Sequence, residues 1–485
     1  MPPRRPLRSL GLALAAAVAA CSEPAVDRPT NVLLLVVDTL RADRLGVYGS
    51  SRPTSPRLDA LAARGTLYES AYTQGTWTGP AMLSLMTGLY VSDEEERLPA
   101  DRPVLAERLR EAGLATAAFV GNPVLAHDRG FDRGFDHFDA PIRGGRTSTV
   151  VERFADWHAR WRSATGASER GFFAWLHATD PHTPYAPPAR FRRFDGRPRA
   201  DEEALRERWS RFESPVAFEP EAARTATLDE AAASIRDQSN LYDAEVLTMD
   251  AAVGALIDLL EERGELDRTL IVVASDHGEE LYEHLRYPED LRVWIRQSPT
   301  GMGLGIEDLL ERAHGSCFHD EVWRVPLILA GPGFPAGARR GGLAANLDLV
   351  PTILAALGRP VPPDVHGESL LGGRAPARRQ VFGYSRRAAA VVDDRGFKFV
   401  DRRRKRELYP DWATGPEDRG TLEQLFDLAR DPGELVDVRD ARPRVAGALE
   451  AAIDRWFAET ARDVDRRLSD EDRDALRELG YLDGR

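Results

Sequence analysis

Asn31-Val-Leu-Leu-Leu-Val-Val37, closed by Asp38, is a continuous apolar run after its first residue. A run this short and this rich in valine suits a strand buried on both faces, because an amphipathic helix or a half-buried strand would show polar residues at regular intervals. Runs of the same kind recur at Ala115 to Val120, Phe172 to Leu176, Leu270 to Ala274 and Val325 to Ala330. Helix-like segments lie between them, among them Val104 to Ala112 and Leu247 to Arg263. Strands alternating with amphipathic helices predict an α/β fold with a doubly wound parallel sheet. Beyond about residue 380 the pattern changes to short alternating pieces, Val381 to Tyr384, Ala389 to Val392, Phe397 to Val400 and Leu425 to Leu428, then an amphipathic stretch from about Val445 to Thr460. The expected organisation is a main domain over 31–379 and a small α+β subdomain over 380–485, with an antiparallel sheet and a last helix.

In doubly wound sheets, ligands bind beyond the carboxyl ends of the strands. The polar residues of this chain follow that rule. Asp38 closes the first run, Asn122 follows the second, Asp180 and His182 follow the third, and Asp276 and His277 follow the fourth. One such acid could cap a helix, but four strands ending in ligand-type residues at one edge exceed what capping accounts for.

With 42% hydrophobic and 29% charged residues in 485, the chain is globular in composition. Its formal charge of −13 and pI near 5.4 exclude the basic stripe of a nucleic-acid partner. The short basic run Arg402 to Lys405 reads as a solvated turn or strand edge. At the N-terminus, Arg4, Arg5 and Arg8 precede the apolar run Leu10 to Ala20, which is too short to span a bilayer. It ends in Val18-Ala19-Ala20-Cys21, which resembles a bacterial lipobox. Residues 1–21 therefore read as a lipoprotein signal, with Cys21 carrying lipid and 22–30 forming a linker; a plain secretory signal is the alternative. This places the protein at a bacterial cell envelope, bound to the membrane by its lipid, and Ser22 in place of Asp favours the outer membrane. Cys317 is the only other cysteine, so a lipidated Cys21 leaves no intrachain disulfide.

The segment from Asn31 through Asp38-Thr-Leu-Arg-Ala-Asp43 to Gly49 resembles the opening motif of the sulfatase family, within the alkaline phosphatase superfamily. Further motifs follow in that family's order: Thr78-Gly-Pro-Ala-Met-Leu-Ser-Leu-Met-Thr-Gly88, Asp180-Pro-His-Thr-Pro-Tyr185, Ser275-Asp-His-Gly-Glu279, His314-Gly-Ser-Cys-Phe-His-Asp-Glu321 and Arg324-Val-Pro-Leu327. Asp431-Pro-Gly-Glu434 and Leu479-Gly-Tyr-Leu482 resemble its C-terminal part. The resemblance implies an alkaline-phosphatase-like α/β/α sandwich, a divalent metal held at the first and fourth strand ends, and a nucleophile at a helix N-terminus. Asp38, Asp276 and His277 supply two carboxylates and an imidazole, and Thr78 supplies a hydroxyl that a metal could activate. Thr78 could equally be a helix cap before Pro80, and both roles are compatible with an anionic group bound at that end.

Departures from the family sharpen the expectation. True sulfatases carry a Cys or Ser in a Cys/Ser-x-Pro-Ser-Arg motif, converted to an aldehyde hydrate, whereas this chain has Thr78, Ala81 and Met82. A threonine, being a secondary alcohol, cannot give that aldehyde. Imidazole in the ligand set favours zinc or manganese over calcium. His182 and His314 are expected to bind the substrate anion or protonate its leaving oxygen, or to join Asp180 on a second metal; Asn122 is a weaker substrate-binding candidate. His177, His284, His319 and Asp320 read as structural. The insertions Ala189 to Asn240 and Tyr282 to Ala313 are expected to shape the pocket mouth, and Gly301-Met-Gly-Leu-Gly305 reads as a flexible insertion, since no strand precedes it. The expected activity is metal-dependent cleavage of an anionic phosphate or phosphonate ester; the alternatives are a sulfuric ester hydrolase and an inactive envelope binding protein.

Overall fold

The computed structural model describes residues 28–90, 97–164, 170–200, 202–210, 221–285, 310–315, 317–385, 388–403 and 422–465. The quoted run is strand β1 (Asn31–Val37), at the centre of a nine-stranded sheet. Its residues alternate between two apolar layers, as burial on both faces requires. Val32, Leu34 and Val36 pack with Met82, Leu83 and Met86 of helix α1 (Thr78–Thr87). Leu33, Leu35 and Val37 face Tyr242, Val246, Met249 and Val253 of helix α2 (Glu221–Glu262). Each such fully buried side chain contributes about 1.5–3 kcal/mol, and the two layers form an α/β/α sandwich.

On one side β1 pairs in parallel with β5 (Phe172–Ala178), which continues to β3 (Ala115–Val120) and β4 (His137–Asp139). On the other side it pairs in parallel with β6 (Thr269–Ser275). Beyond β6 the sheet is mixed, which corrects the expectation of a parallel sheet. The run Val325 to Ala330 splits into β9 (Arg324–Val325) and β10 (Leu327–Ala330), and β10 runs antiparallel to both β6 and β2 (Gly65–Tyr72). Strand β2 itself was not predicted: Glu69 and Ser70 interrupt its apolar pattern where it is half-buried. The edge strand is β11 (Ala338–Ala345), parallel to β2.

A hairpin of β7 (Glu280–Leu285) and β8 (Leu310–Ala313) follows β6. The expected antiparallel sheet consists of β12 (Gln380–Ser385), β13 (Ala388–Asp393), β14 (Phe397–Asp401) and β15 (Glu423–Asp427). One face packs on Phe318 and Trp323, and the other on Leu449 and Ile453 of the final helix (Pro443–Asp465). Arg402 is buried and Arg403 pairs with Asp401 and Glu450, so this start of the basic run is part of the packing and not a solvated turn. Cys21, Gly301 to Gly305 and Leu479 to Leu482 lie outside the described residues. Among the described residues no helix is long and apolar enough to cross a membrane.

Candidate active site

Strand register brings the candidate residues together. Val37 stands opposite Ala178 on one side and Ser275 on the other, so β1, β5 and β6 end level, and Asp38 and Asp276 emerge side by side. Ser275 locks this edge: its hydroxyl lies 2.6 Å from the carbonyls of Val37 and His277 and accepts the Leu40 amide at 3.0 Å. Gly278 is required there, because a Cβ would lie 1.9 Å from the Glu321 carbonyl oxygen.

Both buried carboxylates use one oxygen for structure and leave the other without a hydrogen-bond partner. Asp38 Oδ2 accepts from Asn122 Nδ2 at 2.7 Å, while Oδ1 has no partner among the described residues. Asp276 Oδ1 accepts the amides of His277 at 2.8 Å and Thr39 at 3.3 Å, while Oδ2 is likewise without one. His277 Nδ1 lies 2.9 Å from the Gly278 carbonyl, an acceptor only, so Nδ1 carries the proton and Nε2 presents its lone pair. That lone pair faces Asp38 Oδ1 and Asp276 Oδ2, each at 3.6 Å. Burial, with the neighbouring His314, lowers the His277 pKa to about 3, so the ring is neutral. Two orphaned carboxylate oxygens and an imidazole lone pair, all within 4.8 Å, fit a divalent cation. The nitrogen donor suits zinc or manganese better than calcium.

Thr78 begins α1, and its hydroxyl donates to His277 Nε2 at 3.3 Å and accepts from Asn122 Nδ2 at 3.2 Å. Asn122 therefore both caps a short turn, accepting the Val124 amide at 2.9 Å, and joins Asp38 to Thr78. Met82 stands where the family's arginine is expected, and it is buried in the apolar layer beneath the sheet. His314 packs its ring 4.3 Å from that of His277 and 5.2 Å from that of His182. His314 Nδ1 donates to Glu279 Oε1 at 3.1 Å. Burial alone would lower its pKa, but the Glu279 carboxylate outweighs that and raises it. His182 is half-buried beside it, held by its amide on the Thr179 carbonyl at 2.8 Å.

Asp180 does not join these histidines. Its Oδ2 accepts the Thr147 amide at 2.7 Å and hydroxyl at 2.9 Å, and Oδ1 pairs with Arg146 at 3.2 Å, so it anchors the helix Thr147–Ser163. The expected second metal on Asp180, His182 and His314 therefore lacks its carboxylate. Asp320 serves structure, pairing with Lys398 at 2.8 Å. His177, read as structural, reaches the edge of the site: its Nε2 lies 3.6 Å from Asp276 Oδ2, and neither ring nitrogen has a hydrogen-bond partner. The residues missed are Glu279, which positions His314, and Thr39, held at φ 57° between the two aspartates. Glu279 ends the Ser-Asp-His-Gly-Glu motif, so a signal was present.

Residues 30–359 match the Sulfatase family model. Similar proteins include arylsulfatase A of Homo sapiens, 26% identical over 502 aligned residues that cover 91% of this chain and 89% of that protein. Choline-sulfatase of Rhizobium meliloti is 25% identical, covering 84% and 82% of the two chains. Among solved structures, the phosphonate monoester hydrolase of Agrobacterium radiobacter superposes with a TM-score of 0.63 at 22% identity, covering 91% of this chain and 96% of that one. Sulfatase-family enzymes are metal-dependent hydrolases of sulfuric or phosphoric esters. With the match covering most of the chain and the ligand-bearing strand ends inside it, this protein belongs to the sulfatase family.

Proposed function

We propose that the chain hydrolyses phosphate or phosphonate esters through Thr78 as the nucleophile. The observation that carries this reading is the Thr78 hydroxyl at the start of α1, within 3.3 Å of His277 Nε2 and 3.2 Å of Asn122 Nδ2. A divalent cation on Asp38, Asp276 and His277, when bound, lowers the pKa of that hydroxyl and draws charge from the transferring group. Thr78 Oγ1 forms the bond to phosphorus as the ester oxygen departs, its own proton passing to solvent. His314, held as a donor by Glu279 and packed on His277, hands a proton to the departing alcohol. His182 and Asn122 line the space where the anion's remaining oxygens sit. Water then attacks phosphorus in line and releases Thr78.

The breakdown step favours phosphorus over sulfur. An aldehyde hydrate expels sulfate by elimination through its second hydroxyl, and Thr78 has none. Comparison of aryl phosphate, phosphodiester, phosphonate and sulfate esters tests the reading. The phosphorus esters should turn over fastest, and phosphate should be trapped on Thr78. Sulfate esters cleaved far faster than every phosphorus ester would overturn it. Residues 1–21 support an envelope location, in which Cys21→Ser should release the protein from membranes.

A further inference from the structure

Just beyond the active-site edge the chain gathers a second set of metal-ligating side chains. Glu280 and His284 come from β7, and Cys317 and His319 from the segment that follows His314. Glu280 Oε1 lies 2.8 Å from His284 Nδ1, 2.8 Å from His319 Nδ1 and 3.9 Å from Cys317 Sγ. All four side chains are buried, and the two imidazole rings stack with centroids 3.5 Å apart.

Proton accounting argues for a cation in this cluster. His284 Nε2 lies 3.0 Å from the Gly433 carbonyl, an acceptor only, so Nε2 carries hydrogen. A neutral ring then presents the Nδ1 lone pair to an ionised carboxylate, and two lone pairs at that separation repel. A proton on His284 would remove this clash, but His319 offers the same atom to the same oxygen, while Glu280 Oε2 has no hydrogen-bond partner among the described residues. Two converging Nδ1 atoms, a carboxylate oxygen and a nearby thiol describe a metal site better than a hydrogen-bond network. A ligating histidine with its other nitrogen donating to a backbone carbonyl is the usual supporting arrangement. Tetrahedral zinc spaces its ligand atoms by about 3.3–3.5 Å, so shifts of roughly half an ångström would seat the ion. Strained backbone flanks the cluster: Tyr282, between Glu280 and His284, has φ 67°, and Glu434, next to Gly433, has φ 53°.

We infer that Glu280, His284, His319 and Cys317 form a closed structural zinc site, separate from the active-site metal. Nitrogen and sulfur donors select zinc over calcium or magnesium, and four protein ligands leave no open position for catalysis. The site joins β7 to the loop carrying His314, and through the Gly433 carbonyl to the C-terminal region. It thereby fixes His314 from outside the active site.

Metal analysis of the full-length protein and its variants tests this. His319→Ala should lose one equivalent of zinc per chain relative to the native protein, and His277→Ala should keep that equivalent. Zinc replaced by cobalt should give a thiolate-to-cobalt charge-transfer band in the near ultraviolet, absent in Cys317→Ser. If His319→Ala does not fold, the cobalt spectra of native protein and Cys317→Ser carry the test. Equal zinc in native and His319→Ala protein, no zinc in His277→Ala, or an unchanged cobalt band in Cys317→Ser would overturn the inference.

Discussion

Strand β6 has a buried histidine–carboxylate cluster at each end, and the two are built in opposite ways. Before its start, Glu265 Oε2 bonds His158 Nε2 at 2.7 Å, while Oε1 takes Arg162 at 2.5 Å and Arg268 at 3.1 Å. His158 Nδ1 meets Arg263, so both carboxylate oxygens and both ring nitrogens are satisfied. After its end, Asp38 Oδ1, Asp276 Oδ2 and both nitrogens of His177 have no hydrogen-bond partner among the described residues. An unsatisfied buried polar group costs about 1–3 kcal/mol, more when charged. The first end is therefore complete as protein, and the second is complete only with a ligand. The residue types are the same at both ends; satisfaction tells them apart.

The largest expected effects lie at the unsatisfied end. Thr78→Ala should lower kcat by at least ~10³-fold while metal content and thermal unfolding stay near native values. Asp276→Asn should abolish metal binding and turnover, yet stabilise the metal-stripped protein, because it removes one of two facing negative charges. Metal analysis and urea unfolding of stripped samples check both halves. A stripped Asp276→Asn protein less stable than stripped native protein would break the comparison.

At the satisfied end the signs reverse. Glu265→Ala leaves the charges of Arg162 and Arg268 without their partner, and breaking such a buried pair costs about 3–5 kcal/mol. The kcat of the folded variant should stay within about twofold, since its alterations lie at the far end of the strand. An intermediate effect belongs to Asn122→Ala, which removes the donor shared by Asp38 and Thr78. A hydrogen bond to a charged group is worth about 1.5–3 kcal/mol, so kcat/KM should fall roughly 10- to 100-fold. A loss in stability with kcat/KM intact would assign Asn122 to its turn-capping bond alone.

The sequence displayed the ligand-bearing edge because strand ends are local: an apolar run stops, and the residue that follows points into the cleft. Asp38, Asp276 and His277 needed only that rule, and β12 to β15 showed their alternation in the same local way. Direction and pairing are not local. The four residues of β10 carry no mark of running antiparallel, and the polar Glu69 and Ser70 hid β2. Asp180 has the appearance of a ligand until Thr147 and Arg146 arrive from a helix more than 30 residues earlier. Glu280 and His319 are 39 residues apart, and only the fold sets their atoms 2.8 Å from each other.

The smallest expected effect measures whether the unsatisfied end also stores backbone strain. Thr39 sits at φ 57°, in the left-handed region, which costs a residue bearing a Cβ about 1–2 kcal/mol. Its hydroxyl donates to the Asp38 carbonyl at 2.7 Å, and its own carbonyl accepts from the Tyr242 hydroxyl at 2.7 Å, so the surroundings hold it there. Thr39→Ala keeps the Cβ and loses the hydroxyl bond, which should cost about 1 kcal/mol. Thr39→Gly loses the same bond but relieves the strain. Glycine is ordinarily less stable than alanine by about 0.5–1 kcal/mol, because its unfolded chain is freer. Here the order should invert, with Thr39→Gly more stable than Thr39→Ala by about 1 kcal/mol in urea midpoints. Alanine equal to or above glycine would mean that no strain is stored beside Asp38, and that the two ends of β6 differ in polar satisfaction alone.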